Sequence, residues 1–451
     1  MDDFRPTKQQ EEALDKLRRF YLDKEPNKVF LLKGFAGTGK TTLLSYLVKR
    51  LPRTLLLAPT GRAAKVFASY SHHPAFSIHK AIYRQQGAGS SHFDLNYERQ
   101  DNTWFIIDES SMISNLPSEN GMFGSGRLLD DLIQYVYTAD NSQAIFLGDP
   151  AQLLPVGENC SPALDKKVLE GYGLKVYEAW LTDVLRQTAE SGILLNATRI
   201  RQSIEAEPFI PTKFDCAFED IVRVSGEDLI EEINKSYDMV GEENTVILTY
   251  SNKRAVLFNK GIRSQVLYRE DRIQSGDLIM VTRNNYFWSK PYKDLPFIAN
   301  GDIAEVIRIG KHYEMYDAHF ADATLRLLDY DVEVSVRLLL DSLETETPAA
   351  VQALSDKITN NISEDYPDIR SKAALWKELK ENEFFNALQV KFAYSITGHK
   401  SQGGAWQHVY IDLGYVTDEM ITKEYYQWMY TAFTRAKEKL FLVNFPNSFF
   451  D

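Results

Sequence analysis

Cysteine is almost missing. Only Cys160 and Cys216 occur in 451 residues, far apart and without CxxC or nearby histidine spacing, which argues against a disulfide framework and a zinc site and fits a reducing compartment. No run of about 18 apolar residues occurs, and the opening MDDFRPTKQQ has no basic region followed by an apolar stretch. Neither membrane spanning nor secretion is expected, and the cytoplasm is the expected location. Positive charge is also in deficit: the formal net charge is −12, the wrong sign for a surface that holds polyanions through Lys and Arg. The deficit is uneven, however. Acidic residues gather in 205–243 and 341–383, whereas 40–80 has no carboxylate side chain, so a basic channel within an acidic exterior fits the distribution. No nuclease-type carboxylate cluster is evident.

The chain is 44% apolar and 25% charged, enough for about two to four domains with cores of their own. Its most informative stretch is Gly34-Phe35-Ala36-Gly37-Thr38-Gly39-Lys40-Thr41, set between an apolar run at 29–32 and a helical pattern at 42–49. That is the context of a phosphate-binding P-loop. Gly37, Thr38 and Gly39 let backbone N–H groups curl around phosphate oxygens, and the helix start at Lys40, Thr41 and Thr42 adds its positive end. Lys40 serves the β- and γ-phosphates and Thr41 serves Mg²⁺. ATP with Mg²⁺ is the expected cofactor pair.

Short apolar runs at 55–58, 104–108 and 144–148, each with turn residues behind it, match buried parallel strands, with ligands expected beyond their carboxyl ends. At the second of these ends stands Asp108-Glu109. An Asp just after a buried strand can hold Mg²⁺, and the adjacent Glu can orient or deprotonate the attacking water. The third end is Gly148-Asp149-Pro150-Ala151-Gln152-Leu153-Leu154-Pro155-Val156, where the Gln152 amide can report a γ-phosphate to a neighbouring domain.

GDPAQLLPV resembles the third motif of superfamily 1 helicases, and other segments fall into that family's order. The chain resembles class B of the superfamily, close to RecD-like and Dda-like DNA helicases. The resemblance implies an adenine-reading role for Gln10 within Thr7-Lys8-Gln9-Gln10. It also implies single-strand contacts from Pro59, Thr60, Gly61 and Arg62, and from His79 and Lys80 in Ser77-Ile78-His79-Lys80. Taken singly, Pro59-Thr60 is also a good helix start and His79 suits a core histidine. Leu181-Thr182-Asp183-Val184-Leu185-Arg186-Gln187 resembles the motif whose arginine reaches the nucleotide, which implies that role for Arg186. Tyr430-Thr431-Ala432-Phe433-Thr434-Arg435-Ala436-Lys437 matches the last motif, with Arg435 as arginine finger. In Tyr394-Ser395-Ile396-Thr397-Gly398-His399-Lys400-Ser401-Gln402-Gly403-Gly404, the family implies DNA contact from Thr397, His399 and Lys400, and an approach of Gly403 to the nucleotide.

The fold class implied is α/β: two RecA-like P-loop NTPase domains with an inserted β-hairpin and an SH3-like small barrel domain. The division expected is 1–182 for the first RecA-like domain, 183–300 plus 388–451 for the second, and 301–387 for the barrel insert. Runs at 245–250, 390–394, 409–412 and 440–443 are expected to form the second sheet. Alternation at Phe93, Leu95 and Tyr97 suits a hairpin at about 84–102, in the family's place for a strand-separating pin; a surface loop fits the same segment. Apolar alternation at 304–309, 324–328 and 332–338 reads as barrel strands, followed by an amphipathic helix around Trp376, while 113–126 is a Gly/Ser/Asn-rich loop to which no role is assigned. The implied activity is an ATP-dependent DNA helicase or translocase, moving 5′-to-3′ on single-stranded DNA and unwinding forked duplexes. A monomer with replication or recombination protein partners is expected. A motor subunit of a recombination nuclease complex and an RNA-directed helicase are alternatives, as is a nucleotide-switched binding protein with weak hydrolysis, which the Asp108-Glu109 pair and both arginines disfavour.

Overall fold

The computed structural model describes residues 6–85, 93–96, 101–117, 123–183, 191–292, 295 and 297–450. The first sheet is built from β1 (Lys28–Gly34), β2 (Thr54–Ala58), β3 (Ala75–Ser77), β6 (Trp104–Ile107), β7 (Gln143–Gly148) and β8 (Lys175–Leu181), in the order β3-β2-β6-β7-β1-β8. Every pairing is parallel. The central strands are buried almost end to end, which is why they read as continuous apolar runs rather than alternating ones. Between β3 and β6, β4 (Tyr83–Gln85) and β5 (Phe93–Leu95) pair antiparallel with Gln85 opposite Phe93. This is the expected hairpin, whose tip lies outside the described residues.

The second sheet is also all parallel. It contains β9 (Ile221–Val224), β10 (Thr245–Thr249), β16 (Ser395–Thr397), β17 (Trp406–Asp412) and β18 (Ala436–Val443), in the order β16-β10-β17-β18-β9. The remaining strands, β11 (Leu278–Val281), β12 (Ile303–Met315), β13 (Ala318–Leu327), β14 (Val332–Leu339) and β15 (Leu388–Phe392), close into a five-stranded barrel. Between β14 and β15 stand two helices, Pro348–Ser363 and Lys372–Glu381.

One expectation fails here. The run at 390–394 does not enter the second sheet: β15 pairs antiparallel with β11, Phe392 opposite Ile279, and the sheet position is filled by β16, Ser395 opposite Ile247. So short a stretch fits a barrel strand and a buried parallel strand equally well, and pairing decides between them. Because β11 and β15 both belong to the barrel, its pairing extends beyond 301–387 on each side. Its base is pinned by Asp277, whose buried carboxylate accepts Arg263 at 3.0 Å, Arg269 at 3.2 Å and the Tyr394 hydroxyl at 3.0 Å.

The largest core runs from the second sheet into the barrel and takes in Phe35, Ala151 and Leu153 from the first sheet's loops. Those loops therefore belong structurally to both halves. Against Ala36 and Leu153 of those loops packs the helix Lys423–Phe433, capped by the Thr422 hydroxyl and buried from Tyr425 through Phe433. No helix among the described residues is long and apolar enough to cross a membrane.

Candidate functional site

The loop after β1 turns on two glycines, Gly37 and Gly39, with φ of +75° and +79°, a region that L side chains resist. The helix Lys40–Val48 begins at once, with Gly39 as its N-cap. Lys40 Nζ donates to the carbonyls of Gly34 at 2.7 Å and Phe35 at 2.9 Å, which folds the ammonium over the loop where phosphate oxygens would replace those carbonyls. The Thr38 hydroxyl is turned inward onto Phe35 O at 2.8 Å, while Thr41 and Thr42 stay exposed on the first helical turn. Gln10 lies beside the loop, but its amide is engaged. Its Oε1 accepts Thr7 N–H at 3.0 Å as part of a capping box, and its Nε2 points at Gly39 O at 3.4 Å. Reading a base from this amide requires those bonds to exchange.

Asp108 and Glu109 follow β6, with Glu109 itself in the left-handed region at φ +50°. Asp108 Oδ1 accepts Glu109 N–H at 2.8 Å, and Oδ2 accepts the Tyr70 hydroxyl. Burial pushes both carboxyls up from their ordinary range, opposed by the Tyr70 bond and Lys40 at Asp108 and by Arg435 at Glu109. A carboxylate with a raised pKa is a stronger base towards water. Among the described residues no cluster of three or more His, Cys, Asp or Glu side chains is placed to hold a metal. The oxygen donors of Thr41 and Asp108 nevertheless suit a hard Mg²⁺ ion that draws its other ligands from phosphate and water. Bound there, such an ion would neutralise charge between phosphate oxygens.

Sequence reasoning missed the two residues that join this cleft. Tyr430 accepts the P-loop N–H of Ala36 at 2.9 Å and donates to Asp149 Oδ2 at 2.6 Å. Asp149 Oδ1 in turn accepts Ala151 N–H at 3.0 Å. Burial pushes Asp149 up and Tyr430 well up, so each group depends on the other for its hydrogen bonding away from water. Both lie inside motifs read from the sequence, but 281 residues separate them, and only the fold brings them together. Next to them Gln152 is buried, and its Oε1 has no hydrogen-bond partner among the described residues, an acceptor suited to a ligand or its water. Leu153 is held from both sides: its N–H donates to Thr431 Oγ1 at 2.8 Å, and its carbonyl accepts Gln402 Nε2 at 3.0 Å. Arg435 is buried, with Nε on Thr431 O at 3.0 Å and Nη1 on Gly404 O at 3.1 Å, close enough to Glu109 and Asp149 to act on both charges. Arg186 lies outside the described residues.

The nucleic-acid candidates divide into two places. His79, Thr397 and Lys400 line one cavity of about 830 Å³ together with residues of β11, β15 and the helices Asn252–Gly261 and Pro348–Ser363. His79 is packed edge-on to Phe123 at 5.0 Å, and burial holds its pKa down at about 4, so it meets a ligand as a neutral ring. Lys400 Nζ donates to Asn300 Oδ1 at 2.6 Å, and burial lowers it to about 8. His399, one residue away, is exposed and feels Glu424.

Pro59, Thr60, Gly61 and Arg62 sit elsewhere. The Thr60 hydroxyl caps the helix Gly61–Ser71 by accepting Ala63 N–H at 3.1 Å. Arg62 stacks over Trp406 at 4.0 Å. A Cβ on Gly61 would meet the Tyr330 hydroxyl at 2.2 Å, so the β13–β14 turn covers this helix start. Lys80 lines the neighbouring hollow with Gly61 and Tyr330. Gly403, expected at the nucleotide, lies against the same helix: at φ +73°, a Cβ there would be 2.8 Å from Ala63 Cβ. Its neighbours Gln402 and Gly404 make the contacts towards the cleft. The loop at 113–126 contributes Phe123, which packs on Phe93 of the hairpin at 5.0 Å, and Phe93 packs on Tyr286 at 4.6 Å.

Residues 7–205 match the family described as an AAA domain, and residues 392–443 match the UvrD-like helicase C-terminal domain. An uncharacterised protein of Acanthamoeba polyphaga mimivirus, R530, is 24% identical over 510 residues, covering 96% of this chain and 98% of that protein. Among solved structures, the Pif1 helicase from Bacteroides in complex with ADP-AlF3 and single-stranded DNA has a TM-score of 0.51 at 15% identity, covering 100% of this chain and 95% of that one. A structure of two coordinating Pif1 helicases unwinding forked double-stranded DNA has a TM-score of 0.50 at 16% identity, covering 100% and 94%. At these identities the likeness is one of fold.

Proposed function

We propose that this chain, whose motif order resembles superfamily 1 class B helicases and whose residues 392–443 match the UvrD-like helicase C-terminal domain, is an ATP-driven DNA helicase that moves along single-stranded DNA. The observation that carries the reading is the segment 398–404, a short helix (Gly398–Ser401) and the turn after it. One end of it borders the cavity with Thr397 and Lys400, and the other holds Leu153 through Gln402 and Arg435 through Gly404. A nucleotide at Lys40, Asp108 and Glu109 therefore lies a few hydrogen bonds from a strand at Thr397.

In this reading ATP phosphates displace the carbonyls from Lys40 and compete with Tyr430 for the Ala36 N–H. Glu109 orients and deprotonates the attacking water, and Arg435, with Arg186 in the family's role, stabilises charge developing on the γ-phosphate. Loss of that phosphate restores the Tyr430 bond. Each exchange alters how the second half grips Leu153, and through Gln402 how Thr397 and Lys400 hold the strand. Such backbone contacts are indifferent to sequence. The family resemblance implies 5′-to-3′ movement; the similar Pif1 structures, one with single-stranded DNA and one concerned with forked double-stranded DNA, support activity on forked duplexes.

The test is ATP hydrolysis with and without single-stranded DNA, paired with displacement of forks that carry only a 5′ or only a 3′ tail. Stimulation, unwinding from the 5′ tail alone, and loss of both in Lys40→Ala are expected. Full DNA-stimulated turnover in Lys40→Ala would falsify the nucleotide assignment, and unwinding from the 3′ tail would reverse the polarity.

A further inference from the structure

The helix Pro348–Ser363 belongs to the barrel insert, and no motif of the chain accounts for it. Its first turns nevertheless border the cavity of Thr397 and Lys400, through Val351, Gln352 and Ser355. Two bonds hold it to β15 at that border: Lys391 Nζ donates to Thr345 O at 2.6 Å just before the helix, and Gln389 Nε2 donates to Ser355 Oγ at 2.8 Å.

The lining has an unusual charge balance. In a chain with a net charge of −12, the described residues around this cavity include Arg283, Lys391 and Lys400 but no aspartate or glutamate. The Lys391 and Lys400 ammonium groups bond to a carbonyl and an amide oxygen, respectively, and burial pushes both down from the ordinary lysine range. Lys391 and Lys400 are partly withdrawn from water without an ion pair, Lys391 having only the nearby charge of Glu346 to oppose its shift, and an anionic ligand in the cavity would offset that cost. Phe123 and Phe392 on the same lining supply apolar and aromatic surface. Phosphate contacts and ring surface along one groove are the combination that suits a single nucleic-acid strand.

We propose that the helix Pro348–Ser363, with Arg283 and Lys391 beside it, forms a second wall of the strand channel across from Thr397 and Lys400. This rests on the single-strand reading above and gives the insert a role of its own, in which Arg283 and Lys391 take backbone phosphates and the strand passes close to Gln352. Enclosure on this side slows release of the strand between steps.

The experiment measures binding of a fluorescent single-stranded DNA oligomer by the full-length chain across a salt series, for wild type, Gln352→Lys, Gln352→Glu and Arg283→Glu, with melting temperatures alongside. Gln352 and Arg283 are exposed, so these changes leave the core intact. The wall predicts about threefold to tenfold tighter binding and a steeper salt dependence for Gln352→Lys. It predicts comparable weakening and a shallower slope, by about one unit, for Gln352→Glu and Arg283→Glu. The tightening in Gln352→Lys cannot arise from misfolding. If wild type binds and all three variants bind equally with the same slope, the strand does not pass here and the wall is refuted. Tighter binding by Arg283→Glu would likewise refute it. Failure of wild type to bind would overturn the single-strand reading itself, and the wall with it.

Discussion

Tyr430 stands where the first half's phosphate loop and the second half share a hydroxyl group. Its oxygen accepts from Ala36 and its proton goes to Asp149, so Tyr430→Phe removes two hydrogen bonds and leaves a buried carboxyl short of a donor. A loss of about 1 to 3 kcal/mol in stability is expected. The more telling outcome concerns coupling. The ratio of single-strand affinity with and without a non-hydrolysable ATP analogue should collapse towards one in Tyr430→Phe, while nucleotide still binds. A variant that melts early yet keeps the wild-type ratio would show that the tyrosine only packs. The local geometry of the candidate site was legible at this scale wherever conformation demands a residue type: Gly37 and Gly39 in the left-handed region, and Asp108 at the end of a buried strand. The Tyr430–Asp149 pair was not, because sequence spacing carries no information about two side chains that meet only through tertiary folding. Gln10 was half legible, since the same residue that suits a base also completes a capping box.

At the scale of elements, the segment 398–404, a short helix (Gly398–Ser401) and the turn after it, is constrained from two directions. A Cβ on Gly398 would meet Trp428 Cδ1 at 2.5 Å, and one on Gly403 would meet Ala63 Cβ at 2.8 Å. Gly403 also needs its φ of +73°, so Gly403→Ala is expected to cost about 1 to 3 kcal/mol and to depress DNA-stimulated ATP turnover more than the DNA-free rate. Thermal unfolding and turnover assays check this; unchanged stability would mean that the loop has room the packing denies. Sequence pattern identified β12, β13 and β14 because alternation along a half-exposed barrel strand is distinctive. It misplaced Val390-Lys391-Phe392-Ala393-Tyr394 because five residues are too few to tell a barrel strand from a sheet strand. The edge strand β9 and the helix Pro348–Ser363 went unread for a related reason: a short edge strand and a mostly polar helix carry weak hydrophobic periodicity.

For the whole molecule, the question is how the barrel stands against the first half. Asp302 is buried at that contact, with Oδ2 accepting Ala299 N–H at 2.7 Å and Oδ1 lying 3.3 Å from where a Gly61 Cβ would be. Burial, with Asp329 nearby, pushes its carboxyl up to about 7. The folded protein therefore keeps this proton at pH values where the unfolded chain has lost it. Stability falls as pH rises from the ordinary carboxylate range towards 7, and the penalty is complete above that. Asp302→Asn should gain on wild type by roughly 1 to 3 kcal/mol between about pH 5 and pH 8. Melting curves at the two pH values test it, and a difference between the proteins that does not change with pH would reject the assignment.

The helix Lys423–Phe433 is buried along nine consecutive residues and leads straight to Arg435, whose guanidinium is tied back to that helix's own backbone. An arginine mounted in this way cannot sweep into a site by rotating about its own bonds, a movement that takes picoseconds to nanoseconds. It travels only when the body around it travels, and bodies of this size move in microseconds to milliseconds. In the proposed cycle the helix is a shaft, and the clock is set by the whole half that carries it.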